Sequence, residues 1–134
     1  MMKRDIDLVV IHCSDSPDNT DFRAHDIHEW HTARGWDGIG YHYVICRDGY
    51  VENGRPEYWT GAHVANHNSN SIGICLIGRD TFTPAQMNTL RMSLIGLMTK
   101  YPEVEIRGHY ELDTHKTCPN FDVPAQLAEW GLLV

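Results

Sequence analysis

Nowhere does the chain offer the run of about eighteen apolar residues that a membrane-crossing helix needs. Blocks of lysine and arginine are missing too: 18 acidic side chains stand against 11 basic ones, a formal net charge of −7. A nucleic-acid binder draws most of its affinity from neutralising phosphates, and an anionic membrane attracts clustered basic residues. Neither partner suits this charge. The start, MMKRDIDLVV, carries positive charge, but Asp5 and Asp7 interrupt its apolar stretch, which is too short for a secretory signal. The protein is therefore expected to stay in the cytoplasm in which it is made. There is no internal repeat, low-complexity tract or linker, and 134 residues that are 42% hydrophobic can bury a real core. A single domain over residues 1–134 is the expectation.

Cysteine is scarce as well, with four in all, at 13, 46, 75 and 118. Cys46 lies in YHYVIC and Cys75 in IGICLIG, apolar runs in which a free thiol acts as a small hydrophobe. A cytoplasmic chain with an adequate core has little use for disulfides, and none is expected.

Four segments read as strands, rich in β-branched and aromatic residues and bounded by Gly, Asp or Pro: 7–12, 41–46, 72–77 and 104–109. RDG at 47–49 looks like a hairpin turn into YVE. In TPAQMNTLRMSLIGLMTKYP, Thr83 can cap a helix, Pro84 suits its first position and Gln86 completes a capping box. Met87, Leu90, Leu94 and Leu97 then recur at helical spacing up to the pre-proline Tyr101. A helix over 22–34 puts Ile27 and Trp30 on one face and ends at Gly35, and a shorter one spans 123–130. Helices alternating with strands predict an α/β domain, a central mixed sheet flanked by helices.

Chemistry concentrates in HYELDTHKTCPNFDV, residues 109–123, where a histidine, a lysine and a cysteine share one polar segment. His12 ends the apolar run of the first strand and His109 ends VEIRG, so neighbouring strand ends would bring the two imidazoles together, where α/β sheets place functional groups. Cys118 is close enough in sequence for a loop to curl back. Two imidazoles and a thiolate match the donor set of a catalytic zinc site, which keeps a fourth position open to water. Taken singly, each residue also has a bland reading: a structural histidine at a strand end, a buried loop thiol at Cys118, a solvated lysine at Lys116. A rival cluster, His25, His28 and His31, drifts around its helix and is expected on an exposed face. Cys118 or Cys13 could instead be a nucleophile. Cys13 should point away from His12 on an extended segment, and Cys118 lacks the helix N-terminus that usually activates a thiol. A glycosidase would need a carboxylate pair, and no pair stands out.

As a set, the blocks VIHCSDS, HTARGWDGIGYHYVICRDGYVENGRP, GAHV with NHNSNSIGICLIG, FTPAQM and RGHYELDTHKTCPNFDV resemble the zinc-dependent N-acetylmuramoyl-L-alanine amidases. The resemblance is to the amidase-2 and peptidoglycan-recognition-protein superfamily, nearest its compact phage endolysins, and runs from about Leu8 to Trp130. It implies His12, His109 and Cys118 as ligands of zinc, Tyr41 as a catalytic group beside them, and Lys116 as the support for an oxyanion. His63, in TGAHV, matches a cleft-edge histidine and is implied as a substrate contact; Trp36 and Trp59 either line a sugar-peptide groove or pack. Where some branches carry a glutamate base, this chain has Cys75, which shifts acid–base work to Tyr41 or the water. The implied reaction is hydrolysis of the amide between N-acetylmuramic acid and L-alanine in peptidoglycan, by a monomer stored in the host cytoplasm that reaches the wall once the membrane is opened. No wall-binding domain is expected after Val134, so targeting would fall to the groove. Two alternatives come with the same family: peptidoglycan recognition without cleavage, which the retained Cys118 disfavours, and inhibition of a phage RNA polymerase, which a pull-down would read.

Overall fold

A computed structural model describes residues 4–133. The remainder of the domain expected over 1–134, including Lys3 of the charged start, lies outside the described residues. Five strands form one mixed sheet: β1 (Leu8–Cys13), β2 (Tyr43–Ile45), β3 (Val51–Asn53), β4 (Ser71–Leu76) and β5 (Glu105–Gly108), in the order β3-β2-β4-β1-β5. β1 runs parallel to both neighbours, pairing His12 with Cys75 on β4 and Ile11 with Gly108 on β5. Only the β2–β3 hairpin is antiparallel. All six residues of β1, and all six of β4, are buried, as parallel strands covered on both faces should be.

One face is covered by α2 (Pro84–Lys100), whose start follows the capping box in the sequence: Gln86 N–H donates to Thr83 Oγ1 and Thr83 N–H to Gln86 Oε1, each at 3.0 Å. Leu90, Leu94 and Leu97 pack with Val9, Ile11, Ile72, Ile74 and Leu76, and α4 (Val123–Glu129) adds Val123 and Leu127. The opposite face receives α1 (Ala24–Ala33), whose Ile27 joins Ile39, Val44, Cys75 and Ile77. Helices thus flank the sheet on both sides, as expected, and the sandwich holds the C-terminal end of β1 rigidly. All four cysteines are free thiols.

Several boundaries differ from the pattern, three of them with a visible cause. The strand expected over 41–46 is ordered as a strand only at Tyr43–Ile45, because the antiparallel partner β3 is itself three residues long. This leaves Tyr41 and His42 ahead of β2. Helix α1 starts at Ala24 rather than 22, since the Asp26 carboxylate accepts the Arg23 N–H at 2.8 Å and closes the first turn there. The strand expected over 104–109 ends at Gly108: Glu111 Oε2 accepts the Gly108 N–H at 2.7 Å, and a short helix α3 (His109–Leu112) begins with His109 itself.

His42 ties two of these segments together and makes the fold acid-sensitive. Fully buried, it accepts the Gly73 N–H on Nδ1 at 3.0 Å and donates from Nε2 to Trp59 O at 2.8 Å. Burial first, and the Arg4 charge after it, push its pKa from 6.5 down to about 4, although the bond to Trp59 opposes them. The unfolded chain therefore takes up the proton before the folded one does. Stability from His42 is full above pH 6.5 and drains as the pH falls through 6.5 toward about 4. In chelator-treated protein the thermal midpoint should drop over that window, and less steeply in His42→Gln; a flat midpoint would contradict it.

Candidate functional site

The end of β1 and the start of α3 sit side by side because β1 and β5 are parallel neighbours. His12 Nδ1 lies 3.1 Å from His109 Nδ1. The loop after α3 returns Cys118 beside them, its Sγ 3.5 Å from His109 Nδ1 and 3.9 Å from His12 Nδ1. The return is held by Tyr110 N–H donating to Cys118 O at 3.1 Å. Among the described residues these three form the group of side chains that could hold a metal, with donor atoms all within 4.8 Å of one another. Tetrahedral zinc with its usual bond lengths sets nitrogen donors about 3.3 Å apart and nitrogen from sulfur about 3.6 Å. The observed spacing fits that requirement.

Protonation favours the same use. Burial, with the neighbouring His63 and His109, holds the pKa of His12 well below its ordinary value. His109 is lowered too, by burial and then by the Lys116 charge, against Asp113. Both rings are accordingly neutral, with lone pairs to give. Cys118 is lowered from the ordinary thiol value chiefly by a hydrogen bond with Cys13, with Lys116 assisting against burial, which eases its deprotonation on metal binding. Cys13 itself is pushed far up by that bond and by burial. It is therefore a poor nucleophile. On an extended strand it is expected to point away from His12, yet the loop wraps the strand end closely enough for Cys118 to meet both residues.

Tyr41 packs against His12 with ring centroids 5.1 Å apart. Burial, and then the thiols of Cys75, Cys118 and Cys13, push its hydroxyl well above the ordinary phenol range, so it acts as a donor. Cys75, fully buried beside β1, is also raised well above its ordinary value by burial and takes no part as a base. Lys116 is exposed. It lines a cleft of about 470 Å³ together with Tyr41, His63, His109 and Asp113. A somewhat larger cavity, about 540 Å³, lies between His25, His28, Arg55 and Trp59. It holds none of the three donors, so chemistry rather than size singles out the smaller cleft.

Of the two tryptophans, Trp36 borders the cleft, tilted against His31 with ring centroids 4.5 Å apart, whereas Trp59 walls the other cavity. The histidine trio of α1 divides. His25 and His28 are exposed as expected, but His31 is buried, and the expectation of an exposed face is wrong for it. His31 follows Ile27 by four residues and so shares the stripe that faces the sheet. Its Nδ1 accepts the Gly40 N–H at 2.9 Å, and burial, then Arg34 and Arg55, lower its pKa to about 4. It borders the cleft beside Tyr41.

His63 sits against His12 and also borders the cleft. It is 9% exposed, with Nδ1 2.8 Å from His12 Nε2 and Nε2 3.1 Å from Ser71 Oγ. Burial, with lesser contributions from His42, His109, Arg4 and Arg55, takes its pKa to about 3. Sequence reading missed Ser71 and His31 as neighbours of the site. The four-residue spacing from Ile27 could have flagged His31; for Ser71, a small polar residue opening an apolar strand, no signal was available.

Residues 2–121 match the family model described as N-acetylmuramoyl-L-alanine amidase. The endolysin of Escherichia phage T7 is 41% identical over 125 residues, spanning 87% of this chain and 82% of that protein. Among solved structures, the N-acetylmuramoyl-L-alanine amidase LysC from Clostridium intestinale superimposes with a TM-score of 0.87 at 30% identity, covering 96% of this chain and 87% of that one. A Drosophila PGRP-LB mutant in complex with tracheal cytotoxin superimposes with a TM-score of 0.83 at 25% identity, over 99% and 86% of the two chains.

Proposed function

Because the chain belongs to the N-acetylmuramoyl-L-alanine amidase family and is an enzyme of cell-wall amide hydrolysis, we propose that it cuts the bond between N-acetylmuramic acid and L-alanine with zinc held by His12, His109 and Cys118. The observation that carries this reading is the meeting of two imidazoles and a thiol, from opposite ends of the chain, at tetrahedral donor spacing.

When bound, zinc supplies Lewis-acid polarisation of the amide carbonyl and activation of a water. The chain's own groups answer the remaining needs of an amide, a poor electrophile that becomes an oxyanion on attack. Tyr41, kept as a phenol by burial and packed on His12 in the cleft wall, is the group offered as proton donor there. Lys116, across the cleft on the His109 side, brings a full positive charge to where negative charge develops. Trp36 and His31, in contact with each other, form one wall of the cleft against which the substrate would lie. In this reading the protein works as a monomer on peptidoglycan, as a phage or prophage endolysin stored in the host cytoplasm.

Digestion of purified peptidoglycan with and without a chelator tests the proposal. New amino-terminal alanine that disappears with chelator is the expected result. New reducing sugar ends would mean a glycosidase, and chelator-resistant cleavage a thiol mechanism.

A further inference from the structure

The side of His12 turned away from His109 and Cys118 meets a second imidazole. His12 Nε2 lies 2.8 Å from His63 Nδ1, and His63 Nε2 lies 3.1 Å from Ser71 Oγ. All three residues are buried, at 1%, 9% and 0% exposure, with His63 also bordering the cleft. The His63 ring has little freedom. A Cβ at Gly73 would stand 2.6 Å from its Cγ and one at Gly61 2.7 Å from its Cδ2, which is how closely backbone approaches it from two directions. Its own backbone is pinned as well: Asn68 Oδ1 accepts the N–H groups of His63 and Val64, each at 2.9 Å.

The proton order along this line is fixed by elementary bookkeeping. A neutral imidazole has one N–H and one lone pair. If His12 gives its Nδ1 lone pair to a cation, its proton is on Nε2, and the acceptor within reach is His63 Nδ1. His63 then carries its own proton on Nε2, facing Ser71 Oγ. An imidazole whose far nitrogen donates to a fixed acceptor is held in one tautomer and one orientation, and is more basic toward a metal.

We propose that His63 is a positioning residue that, anchored by Ser71, orients His12 and raises its affinity for the metal, rather than the substrate contact that its place in the sequence suggests. The proposal rests on the reading of His12 as a metal donor, and deepens it.

Zinc affinity of the full chain, measured by competition with a chromophoric chelator, is the readout. His63→Ala should weaken zinc binding by about 10- to 100-fold. His63→Asn, whose side-chain oxygen replaces Nδ1 as acceptor, should recover most of the loss, and Ser71→Ala should show a smaller loss in the same direction. At saturating zinc the KM for muropeptide should be unchanged in all three. An unaltered zinc affinity in His63→Ala with a raised KM would overturn the proposal and restore the substrate contact. Should His63→Ala fail to fold, imidazole 15N spectra of the zinc-loaded wild type decide instead: a protonated Nε2 and bare Nδ1 on His63 are expected, and the reverse order overturns the idea. Failure here is separable from failure of the amidase reading. Zinc binding that Cys118→Ser removes but His63→Ala spares sinks the positioning role alone, whereas His63-dependent zinc binding without alanine release from peptidoglycan sinks the amidase alone.

Discussion

Cys118→Ser is expected to strip the protein of tightly held zinc and to take amide hydrolysis to background in any buffer that controls free metal. A serine hydroxyl is not deprotonated near neutral pH and offers zinc a far weaker donor than a thiolate. The loss should exceed the roughly 10- to 100-fold that removal of an outer partner of a metal ligand brings. The neighbours Cys13 and Lys116 both lower the pKa of this thiol. Cys118 lies in the loop between α3 and α4, outside the apolar clusters, so the thermal midpoint of metal-free protein should match that of metal-free wild type. Zinc titration by competition, paired with the peptidoglycan digest, reads both effects. Undiminished zinc retention would remove the thiolate from the site.

Lys116→Ala should act chiefly on turnover. The side chain is exposed and takes no part in the core, so folding should not change, and zinc affinity should shift only slightly through loss of the charge beside His109 and Cys118. Lys116 lines the cleft together with His109. Loss of one donor to a developing oxyanion typically costs about 10²–10³ in turnover, and that drop in kcat is expected with KM little altered. Lys116→Arg should restore part of it, because charge is kept while reach and hydration differ. Near-wild-type kcat in Lys116→Ala would end the oxyanion role, and a change confined to KM would make Lys116 a ground-state binding residue.

Much of the fold was legible in the sequence wherever one local signal decided the outcome. The Thr83–Gln86 box, the leucine spacing after it and the apolar runs of β1 and β4 each specify an element almost alone, and the structure follows them. Boundaries set by partners were not legible. β2 is short because β3 is, and β5 stops where Glu111 captures the Gly108 N–H. The donor set His12, His109 and Cys118 could be seen as a candidate from residue type and strand-end position, and the family blocks reinforced it. What lay behind it could not. His63 and Ser71 meet His12 through the parallel pairing of β1 with β4 and a loop pinned by Asn68, contacts with no local periodicity to announce them. His31 shows the other kind of miss: grouped by identity with His25 and His28, it belongs by helical phase with Ile27.

X-ray absorption at the zinc edge, on protein carrying one equivalent of the metal, addresses the shared site most directly. One sulfur at about 2.3 Å and nitrogen donors at about 2.0–2.1 Å are predicted, with the sulfur lost in Cys118→Ser. A first shell without sulfur in the wild type, or a wild-type protein that releases alanine from peptidoglycan while free of metal, would contradict it.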